Sequence, residues 1–316
     1  MVAHRFVSCW PGRGIDDSGA CERGSGRLGT EGRSRSIEKP ITEEKVMRSF
    51  KNLEVIRRVQ AADSRGESLV ARKPLYIEQN VFDVGLDEPI FRIFQLDYLK
   101  MDIERSVLTF VKAHPDVWGD PLENPLLKAS YPDAETSGTI NLHGVLDFYG
   151  LSWTKVTIET AEFWDEFSHG KPAIRIETTP RALLERLMYV EDDWFMLRYY
   201  MGLVMYEEEE QIKEWIAQPD FTIHLDSLGQ SLACSLMRLR SCFKQEQEVR
   251  LLFSKLENPS CDWARQNIKI SENLAIVPFL WNGVINSVLF GPMVSTEDRV
   301  GFIEAMSRHG ISCPID

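Results

Sequence analysis

Three short stretches carry side chains whose types and order suit chemistry. Arg92 lies in Pro89-Ile-Phe-Arg-Ile-Phe94, Ser152 and Thr154 flank Trp153, and Glu246 and Glu248 flank Gln247. A guanidinium is planar and permanently charged, and its fork of donors matches a phosphate in a way an ammonium does not. A fixed carboxylate favours positive charge on a sugar carbon whose bond to a leaving group is breaking. A second carboxylate two residues away can steer an acceptor or take its proton. Neighbouring hydroxyls can hold a sugar and orient the carboxylate. A plainer reading stands beside each. Glu246 and Glu248 could pair with Arg238, Arg240, Lys244 or Arg250, and Arg92 could face solvent or bind a core carboxylate. Trp153 and Trp164 read as core aromatics, though either could stack on a planar ring.

These residues need elements to position them. The alternation in 89–94 predicts a strand with Phe91 and Ile93 on one face and Arg92 on the other. Phe148 to Thr154 predicts a second strand, so Ser152 and Thr154 share a face and Trp153 takes the opposite one. A helix over Ser231–Phe243, with Leu232, Leu236, Leu239 and Phe243 as its buried stripe, runs toward a strong strand at Val249–Phe253. Glu246 and Glu248 fall at that junction, sharing a face if the chain there is extended and diverging if it is helical. On this reading Arg92, Ser152, Thr154, Glu246 and Glu248 line one cleft, with at least one carboxylate facing it.

Further strands are expected at Pro172–Glu177, Ala275–Phe279 and Ile285–Phe290. Thr179-Pro180 predicts a helix start with Leu183, Leu184 and Leu187 on its buried face. Glu207 to Glu210 open another helix at its favoured acidic end. Ser295-Thr-Glu-Asp298 caps a last helix that Gly310 ends, with Val300, Ile303 and Met306 as its expected buried stripe. Strands and helices mix without a regular βαβα rhythm. The expected fold is therefore α+β, a single domain with a central, mostly antiparallel sheet surrounded by helices. Residues 1–45 carry seven glycines and little apolar periodicity, which predicts a disordered N-terminal tail before a domain over 46–316.

The 316 residues are 43% hydrophobic and 27% charged, with a formal net charge of −12. Such an acidic chain disfavours bulk contact with nucleic acid, so that partner is not expected. No stretch approaches the ~20 apolar residues of a membrane span, which points to a cytoplasmic protein with no membrane partner. The six cysteines form no C-x-x-C pair and read as ordinary reduced thiols, and no metal site is expected. Asp116, Asp120 and Glu123 read as caps of the turns around Pro115 and Pro121, with a hard-cation cluster as the alternative.

In order, four segments resemble a bacterial family known only as domain of unknown function 2971. They are Phe91-Arg92-Ile93 with Trp118-Gly-Asp-Pro-Leu-Glu-Asn124, then Tyr149-Gly-Leu-Ser-Trp-Thr154 with Phe163-Trp-Asp-Glu-Phe167. Phe243-Lys-Gln-Glu-Gln-Glu-Val-Arg250 and Ser287-Val-Leu-Phe-Gly-Pro292 complete the set. The sequence Arg92, Ser152-Trp-Thr154, Glu246-Gln-Glu248 is also similar to the Arg, Ser-x-Ser/Thr and Glu-x-Glu order of bacterial ADP-ribosyltransferases. That resemblance implies an enzyme handling NAD, with Glu248 and Glu246 as catalytic carboxylates. Arg92, Ser152, Thr154, Trp153 and Trp164 would bind the nucleotide. The rival expectation is a non-catalytic ligand-binding or regulatory protein of a bacterial defence or toxin module.

Overall fold

The computed structural model describes residues 52–133, 137–142, 147–157, 160–256 and 262–315, so the expected N-terminal tail lies outside the described residues. Helices α1 (Leu53–Ser64) and α2 (Leu69–Gln79) lead into strands β1 (Val81–Phe82) and β2 (Ile90–Gln95). Then come α3 (Leu96–Arg105), β3 (Val107–Lys112), the single turn α4 (Pro115–Trp118), β4 (Ser130–Pro132) and β5 (Thr139–Asn141). The middle of the chain forms β6 (Phe148–Thr154), α5 (Ala161–Ser168), β7 (Ala173–Thr178), α6 (Pro180–Leu187), β8 (Tyr199–Leu203), β9 (Met205–Glu207) and α7 (Glu209–Ile216). The last part holds α8 (Gln230–Ser235), β10 (Arg238–Arg240), β11 (Glu248–Ser254), α9 (Asp262–Asn267), β12 (Lys269–Ile270), β13 (Leu274–Pro278), β14 (Ser287–Phe290) and α10 (Thr296–Arg308).

Ten strands make one sheet in the order β1-β8-β11-β6-β2-β7-β14, with β3, β13 and β12 as a branch from β6. Every pairing in it is antiparallel except β1 with β8. The branch is a fork. One edge of β6 is paired along its whole length by β11. The other edge is shared: β2 meets it at Thr154 through Phe91, and β3 meets it at Gly150 and Tyr149. Leu151 to Trp153 lie between the two diverging neighbours.

Residues paired across an antiparallel ladder share a face, and successive residues alternate. One face therefore carries Leu151, Trp153, Val249, Leu251, Ile174, Ile176 and Val288. It packs in the larger core with Leu99 and Ile103 of α3, Leu183, Leu184 and Leu187 of α6, and Phe302 and Met306 of α10. The other face carries Phe148, Leu252 and Tyr200, covered by Leu232, Ala233, Leu236 and Met237. Burying both faces of the central strands explains why β11 is buried at every position.

Local chemistry fixes several of these elements. The Thr179 hydroxyl accepts from the Ala182 amide at 3.2 Å, with Pro180 at the first helical position and Leu183, Leu184 and Leu187 buried. Ser295 accepts from the Asp298 amide at 3.1 Å and donates to its carboxylate at 2.7 Å. Three expectations are corrected. The helix expected over Ser231–Phe243 stops at Ser235, and the chain becomes strand β10, which pairs in parallel with β9. There Arg238 binds Glu207 and Arg240 binds Asp120, so tertiary ion pairs override the helical spacing. On α10, Val300 and Ile303 are 52% and 39% exposed, and Phe302, Ala305 and Met306 form the buried stripe. Cys242 is disulfide-bonded, against the expectation of six reduced thiols, and Cys234 and Cys313 are free. No helix among the described residues is long and apolar enough to cross a membrane.

Candidate functional site

The fork opens into a narrow cleft of about 20 Å³, room for one ordered water (~10–15 Å³) rather than a small ligand, so a ligand enters only if the walls part. Phe91, Ile93 and Arg175 line it from β2 and β7, Ser152 and Thr154 from β6, and Phe163 and Phe167 from α5, with Arg92 and Trp153 completing the lining. Phe163 and Phe167 are four residues apart on the helix, so their rings meet at 4.4 Å between centroids. The Arg175 guanidinium lies 4.8 Å from the centre of the Phe91 ring.

Register decides from which side each group enters. Phe91 pairs with Thr154 and Thr154 with Glu248, so these three share a face with Ser152 and Arg250. Arg92 and Trp153 spring from the opposite face. The phase expected for Arg92 against Phe91 and Ile93 is present, but it directs the side chain toward the larger core. There its guanidinium lies 4.8 Å from the Phe94 ring centre and donates to the Ser152 carbonyl. Arg92 is 4% exposed, forms no ion pair among the described residues, and its Nε has no hydrogen-bond partner. Burial raises the Asp102 carboxyl to about 6, with opposing contributions from Thr109, Arg105 and Arg92, so Asp102 acts on Arg92 only through space. The Trp153 indole N–H is also buried without an acceptor. Both residues line the cleft, and both of these donor atoms are buried.

Ser152 bridges the two sides of the fork. Its carbonyl accepts from Arg92, and its hydroxyl donates to Glu248 Oε1 at 2.5 Å. Glu248 is fully buried and does not line the cleft. Arg250 grips both of its oxygens, Nε to Oε1 at 2.8 Å and a terminal nitrogen to Oε2 at 3.0 Å. The same guanidinium binds Glu123 at 2.5 Å and the Leu236 carbonyl at 2.6 Å, and stacks 4.7 Å from the Trp118 ring centre. Trp118 in turn lies where a side chain at Gly150 would be. The Glu248 amide donates to the Tyr206 hydroxyl at 2.8 Å, and burial with the nearby Glu248 and Glu246 charges pushes that phenol up.

The structure does not bring all the sequence candidates together. Arg92, Ser152, Trp153 and Thr154 line the cleft. Glu248 stands one hydrogen bond behind it. Glu246 ends a 3-10 turn, Gln247 is left-handed at φ 42°, and Glu248 opens β11, so the two carboxylates do not continue one strand face. Glu246 contributes its carbonyl, which the Thr154 hydroxyl caps at 2.7 Å. Trp164 does not line the cleft; its ring packs where a Cβ on Gly291 would sit. Sequence reasoning missed Phe163, Phe167, Arg175 and Glu123 as residues of this site, whereas Arg250 pairs with Glu248 as the plainer reading allowed. A signal existed for two sets: Arg175 interrupts an alternating strand opposite Ile174 and Ile176, and the two phenylalanines have helical i,i+4 spacing. Asp120 caps its turn through the Leu122 amide at 2.9 Å, and its second oxygen binds Arg240.

No family model matches the chain, and no curated protein does. Among solved structures, DarT of Thermus sp. 2.9 in complex with carba-NAD+ is 11% identical, with a TM-score of 0.28 over 73% of this chain and 96% of that one. The same protein with NAD+ gives 12% identity and 0.29 over 73% and 96%. With ADP-ribosylated ssDNA it gives 10% and 0.30 over 74% and 95%. Scores this low establish no shared fold, and no residue takes a role from them. The charge-based expectation against a nucleic-acid partner gains no support from these structures.

Proposed function

We propose that the chain handles a nucleotide of NAD type in the cleft at the β2–β6 fork, in the manner of an ADP-ribosyltransferase. The observation that carries this reading is Ser152, which lines the cleft, accepts from the buried cation Arg92 and donates to the buried carboxylate Glu248. One side of the site offers positive charge for a pyrophosphate, and the other offers negative charge for a sugar carbon that becomes cationic as nicotinamide leaves. Thr154 and Ser152 face a ribose, and the Phe91, Phe163 and Phe167 rings give a planar base an apolar wall. Glu248 acts on the ligand through Ser152. Glu246 serves by fixing Thr154.

A second reading, a non-catalytic ligand sensor, draws support from the complete burial of Glu248 and its two-point grip by Arg250. Release of nicotinamide from NAD by the purified protein separates the two. The enzyme reading expects turnover that Glu248→Gln lowers by about a hundredfold or more while binding persists, because the loss falls on the transition state. NAD binding without turnover favours a sensor of NAD, and no NAD binding removes the enzyme reading and leaves a sensor of another ligand.

A further inference from the structure

We infer that Ser152 is a nucleophile, so that the chain forms a covalent bond to its ligand at the Ser152 hydroxyl. The inference rests on the nucleotide reading for the identity of that ligand, but its geometry stands separately. A reactive serine needs a base within hydrogen-bond reach and a third group that holds the base in place. Here Ser152 Oγ lies 2.5 Å from Glu248 Oε1, and Arg250 holds Glu248 by two hydrogen bonds. Glu123 anchors Arg250 from behind at 2.5 Å, and Trp118 covers the guanidinium. Glu248 and Glu123 are 0% exposed and Arg250 is 1% exposed. Of this chain of contacts only Ser152 lines the cleft. The buried carboxylate therefore meets a ligand through the serine oxygen. Arg250 and Glu123 are positioning residues. This also gives the Trp118–Asn124 segment a place: it delivers Trp118 and Glu123 to the back of the site.

With NAD in the cleft, Ser152 Oγ bonds to the ribose C1′ while the bond from C1′ to the nicotinamide nitrogen breaks. The electron pair of that bond stays with the ring nitrogen, the hydroxyl proton passes to Glu248, and neutral nicotinamide leaves. A carbon that develops cationic character requires only a weak base, which suits a carboxylate already engaged by a guanidinium.

The test uses the full chain with two electrophiles. One is NAD. The other is phenylmethylsulfonyl fluoride, whose ring suits the phenylalanine wall and whose sulfonyl sulfur would bond to Oγ as fluoride leaves. Intact-mass and peptide mass spectrometry should find an adduct on Ser152 from at least one of them. Ser152→Ala should abolish it, and Glu248→Gln should slow it by about a hundredfold. Calorimetry with NAD runs in parallel. NAD binding with Ser152 unmodified by either reagent overturns the nucleophile and leaves the nucleotide reading. Sulfonylation of Ser152 without NAD binding supports the nucleophile and removes NAD as its ligand. Modification elsewhere, or at a rate indifferent to Glu248→Gln, overturns the inference.

Discussion

Arg250→Met tests how the site is held. The substitution keeps much of the side-chain length and removes the charge. It deletes the two hydrogen bonds to Glu248, the one to Glu123 and the one to the Leu236 carbonyl. Two fully buried carboxylates then lose the guanidinium between them. Removing one partner of a buried ion pair costs about 3–5 kcal/mol, because the other charge stays desolvated. Here one guanidinium serves two carboxylates, and its stacking on Trp118 is lost as well. The expected loss is about 4 kcal/mol or more, a large part of the ~5–15 kcal/mol that typically separates folded from unfolded chains. Urea unfolding followed by circular dichroism reads it. The triple variant Glu123→Gln/Arg250→Met/Glu248→Gln should recover at least half of the loss, because the buried charges go together. A single-variant loss below about 1 kcal/mol, the range of exposed pairs, would refute the reasoning.

Other outcomes follow from the same contacts. Burial, then the Arg238 charge, lowers the His224 imidazole from 6.5 to about 4, and burial raises Asp102 from 3.8 to about 6. A base with a depressed folded pKa loses stability as pH falls from about 6.5 to 4, and an acid with a raised one gains it from about 6 to 4. Each is worth about 3 kcal/mol at ~1.4 kcal/mol per pKa unit, so they nearly cancel in the native chain. His224→Phe should therefore gain stability on acidification across this range relative to wild type, and Asp102→Asn should lose it, in unfolding measured at pH 7 and pH 4.5. Phe302→Ala, at a fully buried position of α10, should cost about 3–5 kcal/mol. On the same helix Ile303→Asp should cost less than about 1 kcal/mol. Gly202→Ala would place a Cβ 2.5 Å from Met237 Sδ and 3.0 Å from the Phe82 backbone oxygen. Its expected thermal destabilisation is about 1–3 kcal/mol.

Local rules made much of the fold legible. The Thr179-Pro180 and Ser295 caps, the alternation around Phe91 and Ile174, and the apolar run after Val249 each encode an element within a few residues. The face shared by Ser152 and Thr154 followed from strand phase alone. The fork did not, because it depends on β2 and β3 competing for one edge of β6, a matter of pairing between distant segments. Arg92 shows the consequence: its phase was readable, but not the gap that lets a core-facing guanidinium reach the Ser152 carbonyl. The junction at Glu246 and Glu248 hid a left-handed Gln247, which no apolar period reveals. Arg238 and Arg240 sit at helical spacing from nothing in particular, and only Glu207 and Asp120, brought up from elsewhere, make their segment a strand. On α10 the stripe slipped because Val300 and Ile303 have the right spacing to be buried but face away from the sheet.

Calorimetric titration of NAD into the wild-type chain and Arg92→Ala, each checked for its fold by circular dichroism, tests the central claim most directly. A charge-assisted hydrogen bond in a buried site is worth about 1.5–3 kcal/mol, so losing the guanidinium should weaken binding by about tenfold to a hundredfold. A folded wild-type chain that binds no NAD, or a folded variant that binds it equally well, would contradict the account.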